Sequence, residues 1–407
     1  MIRWFLMAIM CWTISQADAS PDTKDSLSFA EAREIILSGN AGLRSAKTEI
    51  DAAKAGVHQA GTFPNPDIEV SLEKFGADEI EASVGQTFEL GGKRKHRTEA
   101  AQIEVDVLVN AGEIARLELE AEIIRRFIPI ATTTHKMDVL DSIIKITEST
   151  RDQIQRRVEA GGARTTDLVR IEIDIEQLQL ERKELLLENK QARMKFAALG
   201  SSQNFSLINV TGELNHESSI PDLKTLQNAV DKNPVIMAYV IEQKKLEVER
   251  RQLSADASPD LNLSMGYLRN NEANSNSPTF GLSMSVPLFN RNTAAQKQAE
   301  LRQKASGEQR ENAYRLLMAD IEGIHSQLEA IDLKLNSLQS SIVPKARKVY
   351  ETLQEYYSAG SASFLDIAEA QAEMLRLRLE LLDILQERAE KLTDLMQMTS
   401  INLQIVK

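Results

Sequence analysis

Cysteine, aromatic bulk and long apolar runs are nearly missing from this chain. It holds one cysteine, Cys11, and two tryptophans, Trp4 and Trp12, in 407 residues. Residues 13–407 therefore contain no thiol, which excludes a disulfide framework, a cysteine nucleophile and a thiolate metal site from them. Aromatics make up 5% of the chain, and 18 glycines and 10 prolines leave few places where a helix must break. Beyond residue 20 no stretch of about 18 apolar residues occurs, which excludes a membrane-spanning helix. Positive charge is in deficit, with 48 Lys and Arg against 60 Asp and Glu and a net charge of -12. With no basic block to meet a phosphate backbone, no nucleic-acid partner is expected. The five histidines (His58, His96, His135, His216, His325) lack metal-ligand spacing, so neither a metal site nor a cofactor is expected. No Ser-His-Asp set can be argued, and Gly91-Gly92-Lys93 lacks the spacing of a phosphate-binding loop. The expectation is a protein that is not an enzyme.

What remains is rich in Ala, Glu, Leu, Lys, Arg, Gln and Ile, the composition of long helices. The first residues, MIRWFLMAIMCWTISQADAS, carry one early cation, an apolar core and a small-residue site at Ala17-Asp18-Ala19. That is the pattern of a secretory signal peptide over residues 1–19, whose removal takes Cys11 with it. Lipid attachment at Cys11 is the alternative, although Met10 stands where such sites carry a small residue.

An internal repeat organises the rest. The stretches RRVEAGGARTTDL and EYYSAGSASFLDI align Gly161 with Gly360, Asp167 with Asp366 and Leu168 with Ile367. After each turn the apolar positions keep register: Leu168, Ile171, Ile175, Leu178 and Leu185 match Ile367, Ala370, Met374, Leu377 and Ile384. Steps of three and four are the seam of packed antiparallel helices. Upstream, Ile68, Val70 and Leu72 alternate with polar residues, as do Leu261, Leu263, Met265 and Tyr267. Second strands follow, with Ala82, Val84 and Phe88 on one face in the first half. In the second half they are Phe280, Leu282, Met284 and Val286. Each half reads as short helix, helix, strand, strand, long helix, turn, helix. The first repeat occupies residues 20–200, a connecting or equatorial segment 201–220, and the second repeat 221–407.

The lengths are informative. Residues 96–159 as one helix would reach roughly 90 Å, more than a globular core can use. Pro129 is expected to kink or interrupt it. Strands of this length and alternation suit a transmembrane barrel, yet four cannot close one, because the smallest single-chain barrels have about eight. Open edges cannot face lipid. Either several chains share one barrel, or these are soluble hairpins packed on helices.

The segments FPNPDIEVSLE, GQTFELGGKR, AGGARTTDL, SPDLNLSMGY, LSMSVPLFNRN and AGSASFLDIAEAQ, in this order and paired recurrence, resemble the outer-membrane efflux family of Gram-negative bacteria, the TolC-like channels. ELGGKR with PLFNRN looks most like its heavy-metal (cobalt-zinc-cadmium type) branch. The resemblance covers nearly all of residues 20–407. It implies a mixed α and β membrane protein: a homotrimer with a long α-helical periplasmic barrel and a β-barrel shared by three chains, four strands each. It also implies passive conduction, an inner-membrane pump of the resistance-nodulation-division type, a periplasmic adaptor (membrane fusion) protein and contact with outer-membrane lipid. The two turns become adaptor-docking tips at Gly161, Asp167, Leu168, Gly360, Asp366 and Ile367. Both glycines are expected at φ > 0, and both aspartates complement a helix dipole. Asp366 and Glu369 match an acidic aperture gate, whose carboxylates, repeated in three chains, would favour cations and raise one another's pKa values. The first half departs here, with Arg170 where a second acid would stand, and that arginine is a candidate for an ion pair between helices or chains. Lys93, Arg94, Lys95, His96 and Arg97 are expected near the inner lipid headgroups. Export of drugs or proteins by the same architecture, and a soluble periplasmic coiled-coil scaffold, are the competing readings.

Overall fold

The computed structural model describes residues 26–73, 79–200 and 209–407. The expected signal peptide, with Cys11, and the start of the connecting segment lie outside the described residues. The first half contains β1 (Ser26–Ser28), α1 (Phe29–Gly39), α2 (Ala41–Ala60), β2 (Asp67–Glu73), β3 (Glu79–Phe88), α3 (Lys93–Glu159) and α4 (Thr165–Ala197). The second contains β4 (Asn209–Thr211), α5 (Leu223–Val230), α6 (Pro234–Asp256), β5 (Leu261–Asn270), β6 (Ser275–Met284), α7 (Thr293–Ser337), a π-turn (Leu338–Ile342), α8 (Val343–Ser358) and α9 (Phe364–Thr399).

Local chemistry sets the helix starts. Ser28 and Glu31 form a capping box before α1, Asn40 caps Leu43 N at α2, and Asp222 caps Thr225 N at α5. Asn233 caps α6, with Pro234 in its first turn, where no amide hydrogen is needed. The 67 residues of α3 extend about 100 Å at ~1.5 Å per residue.

Of the two outcomes expected at Pro129, a kink or an interruption, the interruption does not occur, and α3 runs through the proline. It sits among buried Phe127, Ile128, Ile130 and Ala131, whose packing holds the helix together. Polar side chains bond the carbonyls around it: Thr133 donates to Pro129 O (2.6 Å), while Thr134 (2.7 Å) and Asn189 (3.1 Å) donate to Ile130 O. The break lies in the other repeat, where the π-turn over Leu338–Ile342 precedes Pro344 and separates α7 from α8.

The strands form one antiparallel sheet in the order β2-β3-β5-β6. Ile68 pairs with Val84, Val84 with Met265 and Met265 with Phe280, so one apolar row crosses all four strands. Among the described residues nothing covers this face: Ile68 is 80% and Phe280 76% exposed. The opposite face carries Ser83, Gly266 and Thr279 in one row. The β6 strand ends at Met284, so Val286 falls outside it.

Three cores hold the helices among the described residues, one of them a small cluster of Ile331, Leu335, Leu338, Leu377 and Ile384 between the other two. The largest gathers Phe29, Phe127 and Phe196, with ring centroids 4.8 and 6.0 Å apart, and helices α1, α3, α4, α5, α7 and α9 all contribute to it. A parallel pair, β1 with β4, and a bridge between Leu214 and Val406 flank it. The core toward the far helix ends includes Ile154, Ile171, Tyr357, Phe364, Ile367 and Met374.

Candidate functional site

The two hairpin tips end their first helices in the same way. Gly161 has φ 75° and Gly360 φ 79°, a left-handed backbone that a side chain would strain. At the first tip Gly161 N donates to Val158 O (2.9 Å) and Gly162 N to Arg157 O (2.7 Å). At the second, Gly360 N donates to Tyr357 O (2.9 Å) and Ser361 N to Tyr356 O (2.8 Å). Both are paired six-to-one and five-to-two closures, which satisfy the last carbonyls of a helix.

The returning helices begin differently. At the second tip Ser363 Oγ accepts from Asp366 N (3.2 Å), and the Asp366 carboxylate accepts from Ser363 N (2.8 Å) and Oγ (2.7 Å). These bonds, the hydroxyl's first, hold the Asp366 carboxyl below its usual range. At the first tip Arg164 occupies the capping position and its side chain makes no cap, and among the described residues the two are joined by a backbone bond alone, from Asp167 N to Arg164 O (3.0 Å).

The other predicted site residues divide by burial. Ile367 is 1% exposed and belongs to the core beneath the tips, with Leu168 packed against that core. The exposed apolar side chains beside them are Val169 and Leu365, which the repeat comparison passed over. Glu369 is exposed and borders a hollow of about 340 Å³ between α3, α4 and α9, which it shares with Asp174 and Gln371. Burial pushes the Asp174 carboxyl up, and nearby Arg170 opposes that shift. Among the described residues Arg170 makes no ion pair.

One contact joining the tips was invisible in the repeat. Arg157 Nη1 donates to Tyr357 O (2.8 Å), and its guanidinium lies 4.6 Å from the centroid of the Tyr357 ring. Arg157 aligns with Tyr356, so this link is a point where the repeats have diverged.

The basic run at the start of α3 is largely neutralised. Lys93 pairs with Asp260 (2.7 Å) and His96 with Glu99 (3.1 Å). Arg97 grips Glu89 (2.6 and 3.1 Å) and the carbonyls of Ala60 (2.8 Å) and Thr62 (3.1 Å). Arg94 instead lies 3.9 Å over the Phe63 ring. Among the described residues no helix is long and apolar enough to cross a membrane, and no group of three or more His, Cys, Asp or Glu could hold a metal ion.

A family model described as "Outer membrane efflux protein" matches residues 33–200 and 225–400. The cobalt-zinc-cadmium resistance protein CzcC of Cupriavidus metallidurans is 25% identical over 371 residues, covering 88% of this chain and 86% of that protein. A solved structure of CusC, described in terms of folding and transmembrane channel formation, superposes with TM-score 0.71 at 16% identity, covering 91% of each chain. The open-state MtrE outer membrane channel of Neisseria gonorrhoeae superposes with TM-score 0.71 at 18% identity, covering 91% of this chain and 88% of MtrE.

Proposed function

The chain belongs to the outer membrane efflux protein family, and from that premise we propose that it is the passive exit duct of a tripartite exporter for divalent heavy-metal cations. The outer-membrane location and the efflux-channel role come with the family. The assembly is the proposal. Three copies close their strands into one barrel and their helices into a periplasmic tube. A proton-driven inner-membrane pump of the resistance-nodulation-division type supplies the energy, and a periplasmic adaptor joins pump and duct.

The observation that carries this reading is the sheet. It exposes an apolar face and leaves both outer strands, β2 and β6, unpaired among the described residues. In lipid each unsatisfied backbone group costs several kcal/mol, and closure with further copies removes both edges at once. The tips at Gly161, Asp167, Gly360 and Asp366 serve as adaptor docks, with Val169 and Leu365 giving them exposed apolar surface and Leu168 and the buried Ile367 supporting them from the core beneath. Asp366 and Glu369 line the aperture, and the Ser363 cap fixes where Asp366 points. The cargo assignment rests on the cobalt-zinc-cadmium resistance relative.

Deleting the gene should lower tolerance to zinc, cobalt or cadmium, and the intact gene should restore it. Lowered drug tolerance with unchanged metal tolerance would reassign the cargo. Recovery of the protein in the soluble periplasmic fraction would overturn the channel itself.

A further inference from the structure

A notch of about 630 Å³ opens where β3 meets α3. Its apolar floor is Phe63 and Phe88, and Arg94 and Lys95 form its basic wall. The two carboxylates on its border are occupied elsewhere. Both Glu89 oxygens are held by Arg97, and Glu99 pairs with His96 (3.1 Å) and Arg251 (3.6 Å). Lys95 reaches Glu99 only at 4.0 Å. Arg94 makes no ion pair among the described residues, and stacking on Phe63 leaves its in-plane N–H groups open. Gly92, at the start of α3, adds no capping side chain.

The position of the notch says what it meets. Phe88 ends β3 in the row Phe88, Leu261, Met284, the last row of the uncovered apolar face before the helices. From Ile80 to Phe88 that face runs about 27 Å at ~3.4 Å per residue. At a barrel strand's tilt of about 35–45° this projects to roughly 20 Å, most of the ~25 Å apolar band of outer-membrane proteins. The notch therefore lies at the periplasmic border of the band. At the same end of the sheet the β6–α7 loop leaves Phe289 fully exposed (100%), as an aromatic belt would require.

We propose that this notch binds the headgroup phosphate of an inner-leaflet glycerophospholipid, with Arg94 and Lys95 on the phosphate and the acyl-chain root on Phe63 and Phe88. The inference rests on the channel reading above. A neighbouring copy is the other conceivable occupant, but closure would bring the lower end of its β6 to this edge. The chain there, residues 285–292, reads SVPLFNRN and offers no acid to Arg94.

Both tryptophans lie at or before residue 12, so Phe63→Trp installs a reporter in the notch while keeping a ring under Arg94. The processed protein carrying Phe63→Trp would be reconstituted in digalactosyldiacylglycerol vesicles. A minor fraction of the lipid would be brominated near the glycerol end, either as phosphatidylglycerol or as the phosphate-free galactolipid. We expect phosphatidylglycerol to quench the introduced indole more strongly than the galactolipid does, and Arg94→Gln to reduce that preference about fivefold, the effect of one cation near a lipid surface. Equal quenching by both lipids, with and without Arg94, would overturn phosphate recognition. No quenching by either lipid in vesicles that conduct would place a neighbouring copy over the notch and overturn the proposal while leaving the channel intact. Absence of conductance from the unsubstituted protein would instead strike the channel reading.

Discussion

The first repeat lacks one hydroxyl that the second uses. Arg164 and Ser363 are equivalent, and Arg164 already has the extended backbone of a capping residue, φ -87° and ψ 140°. Arg164→Ser should therefore complete a box with Asp167 and stabilise the first turn of α4 by about 0.5–2 kcal/mol. Slower amide exchange at Thr166 and Asp167 would register it, and unchanged exchange would show that the first tip is held by other contacts. The native box carries a pH signature of known sign. Because the folded-state pKa of Asp366 is depressed, its contribution is present above the unfolded value and is lost as pH falls through the folded one. Amide protection at the second tip should decline in acid, and Asp366→Asn should flatten that decline. The glycines of both tips were legible because a left-handed closure is a local steric demand. The Arg157–Tyr357 link was not, because it joins residues 200 apart that no periodicity relates.

Whole elements were legible where their period is long or strict. The apolar seams after the tips and the alternating strands identify α4, α9 and the sheet. The three-residue strands β1 and β4 have no period to read and exist because the chain ends of the repeats meet beside the Phe127 core. Pro129 leaves α3 continuous for a related reason: its cost of about 3 kcal/mol is set against burial that the local sequence does not display. The segment around residues 215–218 is held by distant contacts. Buried Arg388 on α9 donates to Ser218 O (2.6 Å) and pairs with Asp332 on α7 (2.6 Å). Arg388→Met should lower stability by about 1–3 kcal/mol, because it strands the Ser218 carbonyl and an Asp332 that water only partly reaches. Asp332→Asn should cost less, since Arg388 keeps its backbone acceptor. Thermal unfolding of the two variants in detergent would rank them, and the reverse order would show that the ion pair to α7, not the clamp on Ser218, is the stronger hold on α9.

At the scale of the molecule, the sequence displayed two alternating hairpins but could not say whether they faced lipid or a helix. The structure removes the second possibility for the apolar face, because no described element covers it. Adjacent residues of β6 can separate a membrane barrel from a soluble scaffold. Phe280 lies mid-sheet on the uncovered apolar face, and Thr279 lies on the polar face, where it donates to Glu81 (2.7 Å). In a lipid-embedded barrel Phe280→Lys places a cation near the bilayer midplane, at a cost of about 2–4 kcal/mol per chain. A trimer bears that cost three times, so the assembled form should vanish from the outer-membrane fraction. Thr279→Lys puts the same charge one residue away, on the face that turns toward the lumen and beside an acid. It should leave assembly intact and shift single-channel selectivity away from cations. A soluble scaffold makes the opposite forecast for Phe280→Lys, since replacing an exposed aromatic with lysine would raise its solubility and leave its fold unchanged. Comparing the two variants for trimer yield and membrane retention therefore tests the face, the barrel and the shared closure together, because only a sheet with lipid on one side and water on the other distinguishes neighbours one residue apart.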